Sequence, residues 1–255
     1  MACQDRSGSI SGVDYGIAVV SDGHGSNRHF RSETGAETAV NISLEAVKEF
    51  IAKELDFLPT MEKRYHNVLR QLAGCICARW ADAVISHFNE NPITEPEEGF
   101  FEEFYLSLDS KTEINVTSIY GATLLIGVIT PAYSFVIQTG DGACVVGQRD
   151  GTFYIPPETI DERLFLGYTT SLCDHNALDN FRFYYSQDMP KAIVLSTDGV
   201  VDSYGDSDYI LFIKTLSDLF FEDYEEALSN LSDWLPKLSE RGSKDDTSIA
   251  GIYCV

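Results

Sequence analysis

The chain has 255 residues, of which 44% are apolar and 12% aromatic, and its formal net charge is −22. This apolar content is enough for a large buried core and no linker-like stretch divides the sequence, so we expect one domain over residues 1–255. The negative charge argues against nucleic acid and anionic membrane surfaces as partners, because it repels their phosphates.

The first ten residues contain no apolar signal segment, and the longest apolar run is far shorter than the roughly 18 residues of a membrane span. The six cysteines are scattered along the chain. With no secretion signal to place them in an oxidising compartment, we interpret them as reduced thiols. The sequence therefore predicts a cytoplasmic protein, which we take to be a monomer.

Apolar residues recur with helical spacing in two long stretches of the first third of the chain. The first stretch runs from Ala36 to Leu55, with Ser32 as its predicted N-cap, and the second runs from Tyr65 to Phe88. The acidic run that follows, from Glu95 to Glu103, predicts an exposed loop.

Eight later or flanking segments have the composition of β-strands. They are Tyr15 to Ser21, Ser118 to Ile129, Ser134 to Gln138, Ala143 to Gln148, Thr152 to Ile155, Phe181 to Tyr185, Ala192 to Ser196 and Ser248 to Cys254. Short turns join several of them, which favours antiparallel hairpins over parallel crossovers. Two stacked sheets with helices outside would accommodate this number of strands.

Two further helices are predicted before the last strand, from Asp208 to Leu219 and from Tyr224 to Leu238. Pro236 is expected to bend or end the second of them, because a proline ring removes a helical hydrogen bond and clashes with the preceding turn.

Four predicted apolar strands each have an aspartate close to one end, and this aspartate stands beside a glycine or in a turn. The segments are Val19 to Gly25 with Asp22, Ile137 to Gly142 with Asp141, Val194 to Gly199 with Asp198, and Gly242 to Ile249 with Asp245. A single Asp-Gly pair is most often a turn. Four such strand ends can meet at one edge of a fold, however, and carboxylates brought together there need a compensating cation. Oxygen ligands suit hard ions such as Mg²⁺ or Mn²⁺.

These four segments, together with Gln4-Asp5 and Tyr120 to Leu124, resemble the ordered motifs of the metal-dependent protein phosphatases, the type 2C or PPM family, in its bacterial branch. The resemblance covers nearly the whole chain, from Gln4 to Tyr253. It implies an αββα sandwich of two mainly antiparallel sheets, and a serine/threonine protein phosphatase that acts on phosphorylated protein substrates.

The resemblance also implies a centre of two Mn²⁺ or Mg²⁺ ions and a weaker third. Asp22 would bridge the first two ions and the Gly23 carbonyl would bind one of them. Asp198 and Asp245 would complete the first site, and Asp5 would act through water. Asp141, with Asp198 shared, matches the third site, near which Asp202 also falls.

A metal-activated water would attack the phosphorus atom, and His24, directly after Asp22 and Gly23, is the candidate general acid for the leaving oxygen. The other four histidines, at positions 29, 66, 87 and 175, are interpreted as packed or surface residues. Ser26 does not fit the nucleophile elbow of serine hydrolases, and no glycine-rich phosphate loop is present.

The sequence departs from the family pattern at its start. The usual N-terminal strand, which carries a phosphate-binding residue, has no counterpart before Gln4. Arg6, Arg28 and Arg31 are near enough in sequence to reach a phosphate, but each is interpreted as a surface cation. Residues 157–180 correspond to the variable flap beside the active site, where substrate choice is set.

Two alternatives to an active phosphatase stay open. One is a pseudophosphatase that binds phosphoproteins without hydrolysing them, which the absent phosphate ligand favours. The other is an acidic structural domain that binds no metal ion.

Overall fold

The computed structural model describes residues 3–106, 115–161, 163, 169–204 and 206–254. These residues form two antiparallel sheets stacked face to face, with helices covering both outer faces. The predicted α+β sandwich is thereby confirmed.

The strands divide between a five-stranded sheet of order β1-β2-β3-β4-β7 and a four-stranded sheet of order β6-β5-β8-β9, with antiparallel neighbours throughout. Their bounds are β1 Arg6–Ser11, β2 Gly16–Ser21, β3 Leu124–Ile129, β4 Ser134–Thr139, β5 Ala143–Gly147, β6 Phe153–Tyr154, β7 Arg182–Ser186, β8 Ala192–Ser196 and β9 Ile249–Tyr253.

The α-helices precede, connect and follow these strands. They are α1 Ser32–Ile51, α2 Glu54–Glu90, α3 Glu95–Phe101, α4 Ala177–Asn180, α5 Asp198–Val201, α6 Asp206–Glu222 and α7 Tyr224–Arg241. No helix among the described residues combines the length and the apolar composition that a membrane crossing requires.

Successive side chains of strand β2 face alternately into two different cores, which shows how the layers are held together. Ile17 and Val19 belong to the core between the five-stranded sheet and helices α1 and α2. Ala18 and Val20 point the other way, into the core between the two sheets. A third core, which includes Ile213 of α6, joins the four-stranded sheet to the last two helices. Successive strand residues face opposite sides, so a strand buried on both faces reads as a continuous apolar run.

The strand assignments hold in most places and fail in two. Strand β1 is not predicted, because its sequence Arg-Ser-Gly-Ser-Ile-Ser alternates exposed and half-buried positions with one large apolar side chain. Residues Val116–Tyr120 form a 3₁₀ helix, so the strand expected from Ser118 begins only at Leu124.

The acidic run from Glu95 to Glu103 is helical, which makes the prediction of a loop wrong. Thr94 and Glu97 form a capping box in which the Thr94 amide donates to Glu97 Oε2 at 2.8 Å. This arrangement satisfies amide groups that the first turn of a helix otherwise leaves without partners.

Helix ends also differ from the predictions. Ser32 is the first residue of α1 and its N-cap is Arg31, which makes no side-chain cap bond. Helix α2 begins ten residues or so before the predicted Tyr65 and has a kink at Arg64. Helix α7 continues past Pro236 to Arg241, so the proline does not end it.

Candidate functional site

A polar cavity of about 390 Å³ lies where the ends of strands from both sheets come together. Its lining consists of Gln4, Asp22, Gly23, His24, Gly25, Ser26, His29, Asp141, Thr169, Asp198, Asp245 and Asp246. The sequence-predicted residues Asp22, Gly23, His24, Asp141, Asp198 and Asp245 are all among them. Asp5 and Asp202 are not, although both lie nearby.

Asp22 is positioned by the strand before it and by the loop that precedes β3. Its amide donates to Thr123 Oγ1 at 3.0 Å, and the Thr123 amide donates to the Asp22 carbonyl at 2.8 Å. At the next residue the chain has no room for a side chain. A Cβ atom on Gly23 would lie 2.8 Å from the Ser32 carbonyl oxygen and 2.9 Å from that of Gln4.

Asp198 and Asp245 come from neighbouring strands of the four-stranded sheet. Strand β8 pairs with β9 through Ser196 and Ile249, so the residues that follow β8 lie beside those that precede β9. A Cβ atom on Gly199 would lie 1.9 Å from the Asp246 carbonyl oxygen, so this approach requires glycine. Lys244 has a left-handed backbone with φ 65°, an uncommon conformation for a side-chain-bearing residue.

Three carboxylates form the centre of the cavity. Asp22, Asp141 and Asp198 each offer an oxygen atom, and these atoms all lie within 4.8 Å of one another. Asp141 Oδ2 accepts a hydrogen bond from the Thr169 hydroxyl. Its Oδ1 atom is buried and has no hydrogen-bond partner among the described residues. Buried polar atoms are almost always satisfied, so this oxygen points to a ligand.

The carboxylates are held in a setting that penalises their charge. Burial and the neighbouring carboxylates of Asp22 and Asp141 raise the pKa of Asp198 to about 8. Burial also raises the pKa values of Asp22 and Asp5, whose carboxyl groups hydrogen-bond each other. A bound cation would offset this repulsion. The donor set, which is acidic and made of oxygen atoms, fits a hard divalent ion such as Mg²⁺ or Mn²⁺.

Asp5 lies behind the cavity wall and is 4% exposed. Its Oδ2 atom accepts a hydrogen bond of 2.6 Å from the Thr197 hydroxyl. The residue before it is fixed by Asp246, whose Oδ2 accepts a 2.6 Å bond from the Gln4 amide. The role expected for Asp5, acting on an ion through water, stays a prediction.

His24 lies in the cavity beside a second histidine. Its ring centroid is 4.9 Å from that of His29, whose Nδ1 contacts the Ser118 carbonyl. Burial and the neighbouring His29 ring lower the pKa of His24 to about 4, so the imidazole is neutral at pH 7 before a ligand binds. The sequence interpretation of His29 as a packed or surface residue misses its place in this lining.

Two other cavity residues escape the sequence analysis. Asp246 stands next to the predicted Asp245, so its motif was recognised although its bond to Gln4 was not. Thr169 lies in the flap segment and reaches Asp141 from 28 positions away, a distance along the chain that no local pattern reveals.

Asp202, one turn after Asp198, has a pKa raised by burial and by the carboxylates of Asp141 and Asp245.

The three arginines near the start of the chain have different roles. Arg31 is 7% exposed, and its guanidinium binds the Glu97 carboxylate with Nε–Oε1 at 2.8 Å, so its interpretation as a surface cation is wrong. Arg6 forms an ion pair with Glu33. Arg28 is exposed, and within the described residues no carboxylate lies within 4.0 Å of it.

Comparison with known proteins was made at the level of sequence and of fold. A sequence model of the family described as "Protein phosphatase 2C" matches residues 1–236. A search of curated protein sequences finds no match.

Solved structures with a similar fold include several phosphatases. The serine/threonine phosphatase of S. agalactiae superposes with a TM-score of 0.61 at 14% identity, covering 99% of this chain and 93% of that one. The serine/threonine phosphatase of Staphylococcus aureus gives 0.60 at 13% identity, covering 100% and 90%. The serine-threonine phosphatase 2C of Toxoplasma gondii gives 0.53 at 13%, covering 98% and 89%. At these identities the likeness supports the sandwich fold.

Proposed function

Because the chain belongs to the protein phosphatase 2C family, we propose that it is a metal-dependent phosphatase that hydrolyses phosphoserine and phosphothreonine in proteins. The observation that carries this proposal is the meeting of Asp22, Asp141 and Asp198, with their oxygen atoms within 4.8 Å, in an open polar cavity. The family match alone would not distinguish a chain that keeps the acidic centre from one that has lost it.

In this proposal the carboxylates divide the work of holding two ions and a weaker third. Asp22 would hold both of the first two ions, and the carbonyl of Gly23, the next residue, would hold one of them. Asp198 and Asp245 would complete one site, and Asp141 with Asp198 would form the third. When bound, divalent ions supply a water of lowered pKa and neutralise the phosphoryl oxygens.

The remaining cavity residues would orient the substrate and transfer its proton. His24 is proposed as the donor to the leaving serine or threonine oxygen, because it lines the cavity directly after Asp22 and Gly23. Its imidazole is neutral at pH 7 in the free protein, so in this proposal it takes up the proton as the negatively charged phosphate of the substrate binds beside it. Thr169 holds Asp141 through a hydrogen bond and so would fix the carboxylate that faces the flap side. Arg28, the exposed arginine of the three, is proposed as a phosphate contact at the rim.

The direct test is an assay of the hydrolysis of a phosphothreonine peptide in the presence of Mn²⁺, measured as the release of phosphate. We expect turnover that a chelator abolishes, and that Asp22→Ala reduces to background. Asp14→Ala is the matched control, because Asp14 is exposed and lies outside the cavity lining. Turnover that is insensitive to both the chelator and Asp22→Ala would refute the proposal. Retention of phosphoprotein without turnover would instead favour the pseudophosphatase.

The role of His24 is tested separately with two leaving groups. A proton donor matters for an alkyl phosphate and much less for p-nitrophenyl phosphate, whose leaving group is stable as an anion. We expect His24→Ala to lower kcat for the phosphothreonine peptide by about 100-fold while changing kcat for p-nitrophenyl phosphate far less. An equal loss on both substrates would show that His24 is not the donor.

A further inference from the structure

A groove lies between helices α6 and α7, away from the carboxylate cavity. It encloses about 680 Å³, and it is lined by Ser203, Tyr204, Asp208, Leu211, Phe212, Thr215, Trp234, Lys237, Leu238, Arg241 and Gly242. The lining positions of α6 fall at 208, 211, 212 and 215, and those of α7 at 234, 237, 238 and 241. Both sets have the spacing of a single helical face.

The apolar side chains of this face are only partly buried by the core beneath it, because Tyr204, Phe212 and Leu238 pack against that core but stay half-buried. Helix α6 already buries Tyr209 and Ile213 against the four-stranded sheet. Its groove-lining Leu211 is nevertheless 60% exposed. An aromatic floor continues from it, because the Phe212 ring stacks on Tyr204 at 4.9 Å and lies 6.5 Å from the ring of Trp234. Unpartnered apolar surface of this kind marks interaction sites.

The groove also carries unpaired positive charge in a strongly acidic protein. Lys237 and Arg241 line it, and within the described residues no carboxylate lies within 4.0 Å of either. The carboxylate of Asp208 lines the groove as well but forms no ion pair with them. Several other surface cations are paired with carboxylates of the chain, as in Arg6–Glu33, Arg70–Asp179, Arg79–Glu49 and Lys214–Asp218, whereas the exposed Arg28, Lys48 and Lys63 have no described carboxylate within 4.0 Å.

We propose that this groove is a docking site for an acidic amphipathic segment of a partner protein. The apolar side chains of the segment would pack on Leu211, Phe212 and Trp234, and its carboxylates would meet Lys237 and Arg241. Helix-in-groove recognition uses anchors at this spacing. At ordinary ionic strength the Debye length is about 8 to 10 Å, so surface charges that lie farther from the groove than this are largely screened.

The inner end of the groove touches the loops that carry the acidic centre. Ser203 Oγ donates to the Gly199 carbonyl at 2.8 Å and accepts from the Ser243 amide at 3.1 Å. Ser243 Oγ donates to the same Gly199 carbonyl at 2.8 Å. A docked segment would therefore lie against the framework of Asp198 and Asp245, although its binding does not depend on the proposed reaction.

The test uses three synthetic 14-residue peptides labelled with fluorescein, and the full chain without substrate. The first has leucines at every third or fourth position and glutamates between them, the second replaces each glutamate with lysine, and the third scrambles the first. Fluorescence anisotropy gives the affinity. Emission of Trp234 reports the location, since the other tryptophan, Trp80, is 1% exposed and gives a constant background.

We expect the acidic peptide to bind and to change Trp234 emission, with affinity that falls as salt rises. Lys237→Glu combined with Arg241→Glu should weaken it more than tenfold, and Asp208→Asn should strengthen it. Lys48→Glu combined with Lys63→Glu is the matched control for charge, because these exposed lysines lie on α1 and α2 in the opposite layer. Thermal melts confirm that each variant folds.

Several results would overturn the docking proposal. The first two are that the acidic peptide does not bind, or that the scrambled peptide binds as tightly as the acidic one. The third is that the acidic peptide binds the protein with Lys237→Glu and Arg241→Glu as tightly as the parent protein. The fourth is that the lysine peptide quenches Trp234 more strongly than the acidic peptide does. Sedimentation tests one other occupant. If the parent protein self-associates and the variant with Lys237→Glu and Arg241→Glu does not, the groove binds a second copy of the chain instead. Phosphatase assays on the same samples keep this outcome separate from the proposed reaction.

Discussion

Two partly buried acidic regions of this molecule differ in what surrounds their carboxylates, and their pKa values shift in opposite directions. Around Arg31, a guanidinium binds Glu97 and donates to the Tyr120 hydroxyl at 3.1 Å. The hydrogen bond from Arg31 lowers the pKa of Glu97 to about 2. In the cavity, by contrast, burial and neighbouring carboxylates raise the pKa of Asp198 to about 8.

This contrast separates carboxylates that are paired within the fold from carboxylates that are left for a ligand. Glu97 has its cation within the chain, so its charge is stabilised whenever the protein is folded. The described surroundings of Asp198 offer carboxylates, and its charge is stabilised only when a cation arrives from outside. A buried charge is tolerated when it is paired or coordinates a metal.

The largest expected effect is the loss of function on neutralising the cavity. Asp198→Asn keeps the size of the side chain and removes one negative charge from the proposed ion sites. We expect a loss in kcat/KM of about 1000-fold, or ~4 kcal/mol, together with weaker Mn²⁺ binding by calorimetry. Glu97→Gln, the same change in the other region, should leave Mn²⁺ affinity unaltered. Equal effects of the two variants would contradict the comparison.

Next in size is the cost of breaking the internal pair. Arg31→Met removes the cation and leaves Glu97 and the Tyr120 hydroxyl without it, so we expect a loss in the free energy of unfolding on the order of 3 kcal/mol. Chemical denaturation measures it. Arg79→Met removes an exposed pair with Glu49 and should cost about 0.5 kcal/mol or less. If Arg31→Met cost no more than this control, the pair would not be structural.

A smaller effect is expected from pH on the metal-free protein. The pKa of Asp198 is higher in the folded chain than the 3.8 of an unperturbed aspartate. The folded state therefore binds this proton more tightly, and its contribution to stability, present below about pH 4, is lost as pH rises towards 8. We expect Asp198→Asn to be more stable than the parent protein at pH 8 and equal to it at pH 4.

The pH prediction concerns the difference in stability between Asp198→Asn and the parent protein, and not the pH dependence of either protein alone. Burial lowers the pKa values of His24 and His29, which makes the folded state lose stability as pH falls and so opposes the trend of Asp198. Both histidines are present in both proteins, and their effect cancels. Thermal melts in chelator between pH 4 and pH 8 measure the difference, and a constant difference would rule out the shift.

The smallest effect concerns backbone strain beside the cavity. Lys244 has φ 65°, which costs energy for any residue with a Cβ atom. We expect Lys244→Gly to stabilise the protein by roughly 0.5 to 1 kcal/mol. The same substitution at Lys63, inside helix α2, should destabilise it by about 1 kcal/mol. Two changes of the same sign in chemical denaturation would contradict this reading.

Local sequence pattern located the aspartates of the cavity better than it located the ion pair between Arg31 and Glu97. The aspartates stand at the ends of apolar strands, where local pattern and position together indicate a shared site. The partnership of Arg31 with Glu97 spans 66 positions and has no local signature. Thr94 and Glu97 have the spacing of a capping box, a local signal that predicts a helix where the acidic composition alone predicts a loop.

Strand β1 shows a second limit of local pattern. It lies at the edge of its sheet and, among the strands that the structure describes, pairs only with β2, so few apolar side chains are required of it. Its existence depends on hydrogen bonds to a neighbour, which composition does not report. Strand β8 lies inside its sheet, is buried along its whole length, and was predicted at its observed bounds.

The origin of the cavity aspartates has a mechanical consequence. Asp22 follows a strand of the five-stranded sheet, whereas Asp198 follows a strand of the four-stranded sheet. An ion held by both would join the two sheets at this end, in addition to the apolar core between them and the hydrogen bonds Thr197–Asp5 and Gln4–Asp246. Removing it would let the two layers part more readily at this end, so the chelated protein should exchange its amide hydrogens faster there than at the opposite end.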